Sequence, residues 1–178
     1  MKFLRSVSLA LAAVATTGAA YAAGAPAATA TLKGAAGQGG TVQLWQAPQG
    51  VVLRVELTGV SPGWHAIHFH EKGDCSDAGF KAAGAHINHS AAKRPHGLLN
   101  PQGPDFGDLP NVHVGADGAG RAEAYTPLVS LRGEGGRPAL LDADGSALVV
   151  HANPDDHATQ PIGGAGDRIA CGVLAPGG

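Results

Sequence analysis

The sequence has no excess or cluster of Lys and Arg: 12 basic residues face 14 acidic ones along 178 positions. Without a basic stripe or patch, nucleic acid is not an expected partner. A sustained helical period is also missing, and 28 Gly and 12 Pro punctuate what apolar pattern there is. Beyond the N-terminus no apolar run is long enough to cross a bilayer. Cysteine is down to two residues, Cys75 and Cys171. Any metal held here is therefore held without a thiolate cluster.

The N-terminus is set apart by its composition. Lys2 and Arg5 form a short basic head, residues 7–19 are a small apolar run, and Ala20-Tyr21-Ala22 fits a signal-peptidase site. This reads as a secretory signal, residues 1–22, cut after Ala22 and too short to serve as a stable span. Its removal leaves 10 basic and 14 acidic residues, a net charge of −4. In an exported protein an even cysteine count suggests a disulfide, and closing so long a loop restricts the unfolded chain by roughly 4–5 kcal/mol. Residues 23–30 read as a flexible Ala/Gly/Pro lead-in, and residues 31–178 as one domain with a core of its own.

What is present is alternation. In Val51-Val52-Leu53-Arg54-Val55-Glu56-Leu57 the odd positions are apolar while Arg54 and Glu56 face away, as on a half-buried strand. Thr41-Val42-Gln43-Leu44 alternates too, and Ala47-Pro48-Gln49-Gly50 reads as the turn between the two. Leu148-Val149-Val150 follows an Asp144-Gly145 turn, and Arg168 to Leu174 reads as a last strand. Short strands with Gly and Pro turns imply an all-β antiparallel sandwich or barrel. Two stretches, 71–110 and 152–167, do not alternate, and long irregular segments inside a compact domain are usually functional. Trp45 and Trp64 are candidates for core or interface.

Histidine is the chemistry-bearing residue. His65-Ala66-Ile67-His68-Phe69-His70 packs three imidazoles into six positions. Side chains two apart on a strand share a face, so His68 and His70 project together while Ile67 and Phe69 face the core. His65 has the wrong parity and reads as a structural histidine bonded to loop backbone. His151 ends the strand 148–150 on the face opposite Leu148 and Val150. His86 and His96 lie in the first long loop with Asp105 and Asp108. His68, His70, His86 and His151 form an all-imidazole set that suits Cu(II). His86, His96, Asp105 and Asp108 form a mixed set that suits tetrahedral zinc. His86 belongs to both, and its two ring nitrogens could bridge two metals. His89, His113 and His157 read as solvated loop histidines.

These residues resemble those of the exported bacterial copper–zinc superoxide dismutases. The stretches that carry the resemblance are His68-Phe69-His70-Glu71, Gly84-Ala85-His86-Ile87-Asn88, His96-Gly97, Gly107-Asp108-Leu109-Pro110, Leu148-Val149-Val150-His151, Asp155-Asp156 and Asp167 to Val173. The resemblance implies an eight-stranded antiparallel Greek-key barrel. It implies copper on His68, His70 and His151, with His86 bridging to zinc, and zinc on His96 and Asp108. It makes Asp155 the carboxylate joining a copper histidine to a zinc histidine, Arg168 the residue that attracts the anionic substrate, and Cys75–Cys171 the disulfide. The implied activity is dismutation of superoxide by copper cycling between Cu(II) and Cu(I), with His86 taking up a proton between half-reactions. A periplasmic or otherwise exported location follows.

One position departs from the family pattern. Where the family has a third zinc histidine, three residues before the zinc aspartate, this chain has Asp105. Asp105 ligating zinc, His89 replacing the lost ring, and a copper-only dismutase with a weak or empty zinc site are three accounts of it. The first is preferred because zinc accepts carboxylate oxygen. A periplasmic copper or zinc carrier is the non-enzymatic alternative; it would need neither Arg168 nor a bridging His86. The sequence leaves monomer and homodimer both open.

Overall fold

The computed structural model describes residues 24–89 and 93–177. The expected signal segment, residues 1–22, lies outside them. Ten strands form one antiparallel sheet: β1 (Ala28–Lys33), β2 (Gly39–Ala47), β3 (Gly50–Thr58), β4 (Gly63–His65), β5 (Ile67–His70), β6 (Val112–Val114), β7 (Gly120–Thr126), β8 (Ala147–His151), β9 (Arg168–Val173) and β10 (Ala175–Pro176). Among the described residues there is no α-helix, only 3-10 turns at Lys81–Ala83 and Glu134–Gly136. β1 begins at Ala28, so the last residues of the expected lead-in belong to the sheet.

The sheet order is β4-β6-β7-β3-β2-β1-β9-β8-β5, with β10 beside β1. β4 and β5 are one extended run broken only at Ala66. Its first half pairs with β6 and its second half with β8, so a single segment carries both edges and nearly closes the barrel. Counted as one strand, with the two-residue β10 set aside, it gives the eight strands expected. Crossovers from β3 to β4 and from β7 to β8 supply the Greek-key path.

Alternation fills the inside. Val51, Leu53, Val55 and Leu57 of β3 are buried and Glu56 is exposed, with β2 in register from Gly39↔Thr58 to Ala47↔Gly50. On β8 the two faces separate cleanly. Leu148 and Val150 join Ile67 and Phe69 in the barrel core, while Ala147 and Val149 pack outside with Phe80, Ala83, Cys171 and Cys75. Each fully buried Leu, Val, Ile or Phe side chain among them contributes about 1.5–3 kcal/mol by leaving water. The second cluster matters for the site, because it seats the loop after β5 on β8 and β9. The Cys75–Cys171 disulfide, with Cα atoms 5.8 Å apart, pins the same place. Neither tryptophan is in the core: Trp45 lies half-buried on the outer face, with Nε1–H donating to the Gly24 carbonyl, and Trp64 is exposed.

Candidate metal centre

β5 presents His68 and His70 on the outer face, as the parity argument expected, and both are buried. They are covered by the long segment that follows. Phe69 N–H donates to the Gly107 carbonyl (2.9 Å), Ile87 N–H donates to the Phe69 carbonyl (3.0 Å), and Glu71 N–H donates to the Ala85 carbonyl (2.9 Å). Single antiparallel bridges, His70↔His86 and His68↔Asp108, result. The first long loop is therefore laid along the free edge of β5, and main-chain hydrogen bonds bring His86 and Asp108 beside the strand histidines. His151 arrives from the end of β8, where its pairing with β9 slips by one residue.

His68, His70, His86 and His151 each offer a ligand atom within 4.8 Å of one another, and all four are buried. One nitrogen of each ring is occupied. His68 Nε2–H donates to Asp155 Oδ2 (2.9 Å), His70 Nδ1–H to the Gly84 carbonyl (2.9 Å), and His151 Nδ1–H to the Gly166 carbonyl (3.2 Å). The other nitrogens, His68 Nδ1, His70 Nε2, His86 Nε2 and His151 Nε2, are buried with no hydrogen-bond partner among the described residues. Buried polar atoms are nearly always paired, so four lone pairs aimed at one point are a donor set awaiting a cation. Burial pushes His68 down to about 3, His70 to about 2 and His151 to about 4, so all three stay neutral at physiological pH. Neutral, thiolate-free imidazole donors fit copper.

The second set shares His86. His68, His86, His96 and Asp108 again offer atoms within 4.8 Å of one another. Asp108 Oδ2 accepts N–H bonds from Gly97 (2.7 Å) and Asp105 (3.0 Å), leaving Oδ1 unpartnered, 2.5 Å from His96 Nδ1 and 3.5 Å from His86 Nδ1. Asp105 is buried and sits beside this set rather than within it: Oδ1 accepts from Gly107 N–H (2.9 Å), while Oδ2 lies 3.0 Å from His86 Nδ1 and 3.9 Å from His96 Nδ1. His89, by contrast, is exposed. Burial alone would lower His96, but the carboxylates of Asp108 and Asp155 outweigh it and lift it to about 10. His86 is likewise raised, against burial, by Asp105 and Asp108. Nitrogen and carboxylate oxygen at such spacing fit zinc.

Asp155 joins the halves. Its Oδ2 takes His68 Nε2–H and its Oδ1 takes His96 Nε2–H at 3.1 Å. Burial would raise its carboxyl, yet these partners hold it well below the carboxylate range. Gly163 stands against it at φ 60°, where an added Cβ would lie 1.7 Å from Asp155 Oδ1, so only glycine fits.

Arg168 opens β9, half-buried beside the disulfide. It donates from Nη1 to the Phe80 carbonyl (2.5 Å) and from Nη2 to the Gly84 carbonyl (2.7 Å). Gly84 O thus ties Arg168 to His70. A cavity of about 650 Å³, lined in part by His86, His96, Asp105, Lys93, Arg94 and Arg168, opens over the site.

The sequence family described as copper/zinc superoxide dismutase matches residues 38–174. The chain belongs to this family. It is 65% identical over 148 residues to a copper–zinc superoxide dismutase of Caulobacter vibrioides, covering 83% of this chain and 84% of that protein. It is 42% identical over 136 residues to one from Aquifex aeolicus, covering 76% and 79%. A crystal structure of a SOD-like protein from Bacillus subtilis superposes with a TM-score of 0.73 at 33% identity, covering 83% of this chain and 97% of that one. The protein is accordingly an oxidoreductase acting on superoxide, with copper and zinc as its metals.

Two features lay beyond the sequence reading, and a third agrees with it. His65 is structural as expected: Nδ1 lies 2.8 Å from the His151 carbonyl and Nε2 2.8 Å from the Ser61 carbonyl. The carbonyls of Gly84 and Gly166 that orient copper-type rings carried no signal, because any residue type supplies a carbonyl. His157, read as solvated, is half-buried beside Asp155, with Nδ1 3.4 Å from Oδ2 and its backbone N–H donating to Oδ1 at 2.6 Å. Its place is set by the loop path from 155 to 163, which no local pattern reveals.

Proposed function

We propose that His68, His70, His86 and His151 hold copper, that His86, His96, Asp108 and Asp105 hold zinc, and that Arg168 draws superoxide to the copper side. The observation that carries this is the convergence of four buried, unpartnered imidazole nitrogens from β5, β8 and the long loop. Copper so held supplies the one-electron cycling by which one superoxide is oxidised to dioxygen and another reduced to hydrogen peroxide.

The chain's own part is orientation and proton handling. Carbonyls of Gly84 and Gly166 and the Asp155 carboxylate fix each ring's tautomer, so the remaining lone pair points inward. Such outer partners also raise ligand basicity. His86 is the least buried of the four rings and lines the mouth. Its Nε2 takes up a proton in one half-reaction and releases it to the reduced substrate in the next; the second proton of the peroxide comes from solvent. The net charge repels an anion, so attraction must be local, and Arg168 at the mouth provides it. Focused fields of this kind raise association rates by 10- to 10³-fold and fade with salt (this enzyme class is itself among the standard examples).

Asp105 completes the zinc donors because its Oδ2 faces both His86 Nδ1 and His96 Nδ1 while Oδ1 is held by Gly107. Export by residues 1–22 and residence in the periplasm go with the Cys75–Cys171 bridge, a bond that persists in oxidising compartments.

The test is copper and zinc content measured alongside dismutation rate, for wild type and Arg168→Ala. We expect one copper and one zinc per chain, and a variant that keeps copper but loses about tenfold in rate with most of its salt dependence. Copper near one with zinc near zero would remove Asp105 from the ligands. Unchanged kinetics in Arg168→Ala would remove the steering role.

A further inference from the structure

Behind Asp155 lies a separate cleft, lined by Trp64, Pro110, Asn111, Pro154 and His157, which shares no residue with the mouth over His86 and His96. Asn111 grips the Asp155 backbone from both ends: Oδ1 accepts the Asp155 N–H (2.9 Å), and Nδ2 donates to the Asp155 carbonyl (2.8 Å). That settles which end of the amide is which. Nδ2, a donor, also lies 3.3 Å from His157 Nε2, which must then offer its lone pair. A neutral His157 ring consequently carries its proton on Nδ1. This Nδ1 is buried, has no hydrogen-bond partner among the described residues, and lies 3.4 Å from Asp155 Oδ2.

The backbone converges on the same carboxylate. His157 sits at φ 62°, a left-handed conformation unusual outside glycine, which the surroundings must hold in place. Its N–H donates to Asp155 Oδ1, and its carbonyl accepts Leu99 N–H (2.9 Å) so close to Gly97 that a Cβ there would come within 2.3 Å. Among the described residues, Asp155 Oδ1 thus receives two donors, His96 Nε2–H and His157 N–H, whereas Oδ2 receives only His68 Nε2–H. The His157 ring is the group placed to balance the second oxygen.

We propose that His157 is a positioning residue for Asp155: its Nδ1–H closes on Oδ2 and holds the carboxylate in the orientation that serves His68 and His96 together. The inference rests on the reading of Asp155 as the link between the copper and zinc halves. Groups bonded to metal ligands, as Asp155 is, govern metal affinity by about 10- to 100-fold, and His157 acts through one of them.

Two variants of the metal-loaded protein test it. His157→Gly removes the ring and accepts the left-handed backbone. His157→Asn tolerates that backbone too, and carries its amide nitrogen on Cγ, where the histidine carries Nδ1. In the reduced protein, proton NMR of the His68 Nε2–H reports its exchange with solvent, and a chelator reports zinc release. Both are expected to quicken about tenfold in His157→Gly and to return most of the way in His157→Asn, with thermal unfolding of the metal-free protein the same in both variants. Unchanged His68 exchange in His157→Gly overturns the proposal, and so does equal loss in the two variants. A wild type that takes no zinc would refute the zinc assignment, while the His68 exchange would still judge His157.

Discussion

On one side of His86 stand His68, His70 and His151; on the other stand His96, Asp105 and Asp108. The first group offers only imidazoles, each steered by a carbonyl or by Asp155, and burial lowers their proton affinity. The second group surrounds its imidazoles with carboxylates, which overcome burial and raise theirs. The same fold thus prepares neutral lone pairs a few ångströms from a proton-binding, anionic cluster. The lesson is that burial alone does not set the character of a buried histidine; its partners do.

The widest separation between the halves should come from His70→Ala. It takes a donor from the copper set alone, and removing a donor exceeds the 10- to 100-fold typical of an outer partner. Copper affinity and dismutation should fall by more than about 100-fold while zinc stays. Loss of both metals together, in metal analysis, would show that the halves are not separable. Asp155→Ala should do what His70→Ala does not, weakening both metals by about 10- to 100-fold, because Asp155 accepts from His68 on one side and from His96 on the other. A titration in which only one metal loosens would deny it the linking role.

Asp105→Ala should weaken zinc by about tenfold and leave copper alone, and Asp105→His should restore it. Competition with a chelator decides, and zinc binding unaltered in Asp105→Ala would strike that carboxylate from the donors. The smallest effect is on metal-free stability against pH. His68, His70 and His151 have folded values below their ordinary 6.5. The unfolded chain therefore binds their protons first, and stability drains away as pH falls below 6.5. His96, raised to about 10, contributes the opposite: stability present below 6.5 and lost as pH rises toward 10. Thermal unfolding of the metal-free protein should peak near neutrality, and His96→Asn should flatten the alkaline side, leaving there the part that the raised His86 contributes. An alkaline side as steep as that of the wild type would place the effect elsewhere.

The contrast between the halves was only partly legible in the chain. Strand parity placed His68 and His70 together and set His65 apart, because a period of two is rigid. His86, His96, Asp105 and Asp108 could be named as a donor set from their residue types, but not located, since their places come from main-chain bonds between the long loop and the β5 edge. Ile87, Phe69 and Gly107 exchange those bonds through groups every residue possesses. The β4–β5 seam was invisible for the same reason. His157 was misread because its burial depends on a left-handed turn and on Asn111, forty-six positions away.

That seam has a consequence of its own. The run from Gly63 to His70 is at once the zipper that shuts the barrel and the shelf on which two of the imidazoles stand. Shutting the barrel and assembling the metal cradle are therefore one event. An ion seated there acts as a rivet through that joint, and a chain that fails to zip loses its cargo in the same movement.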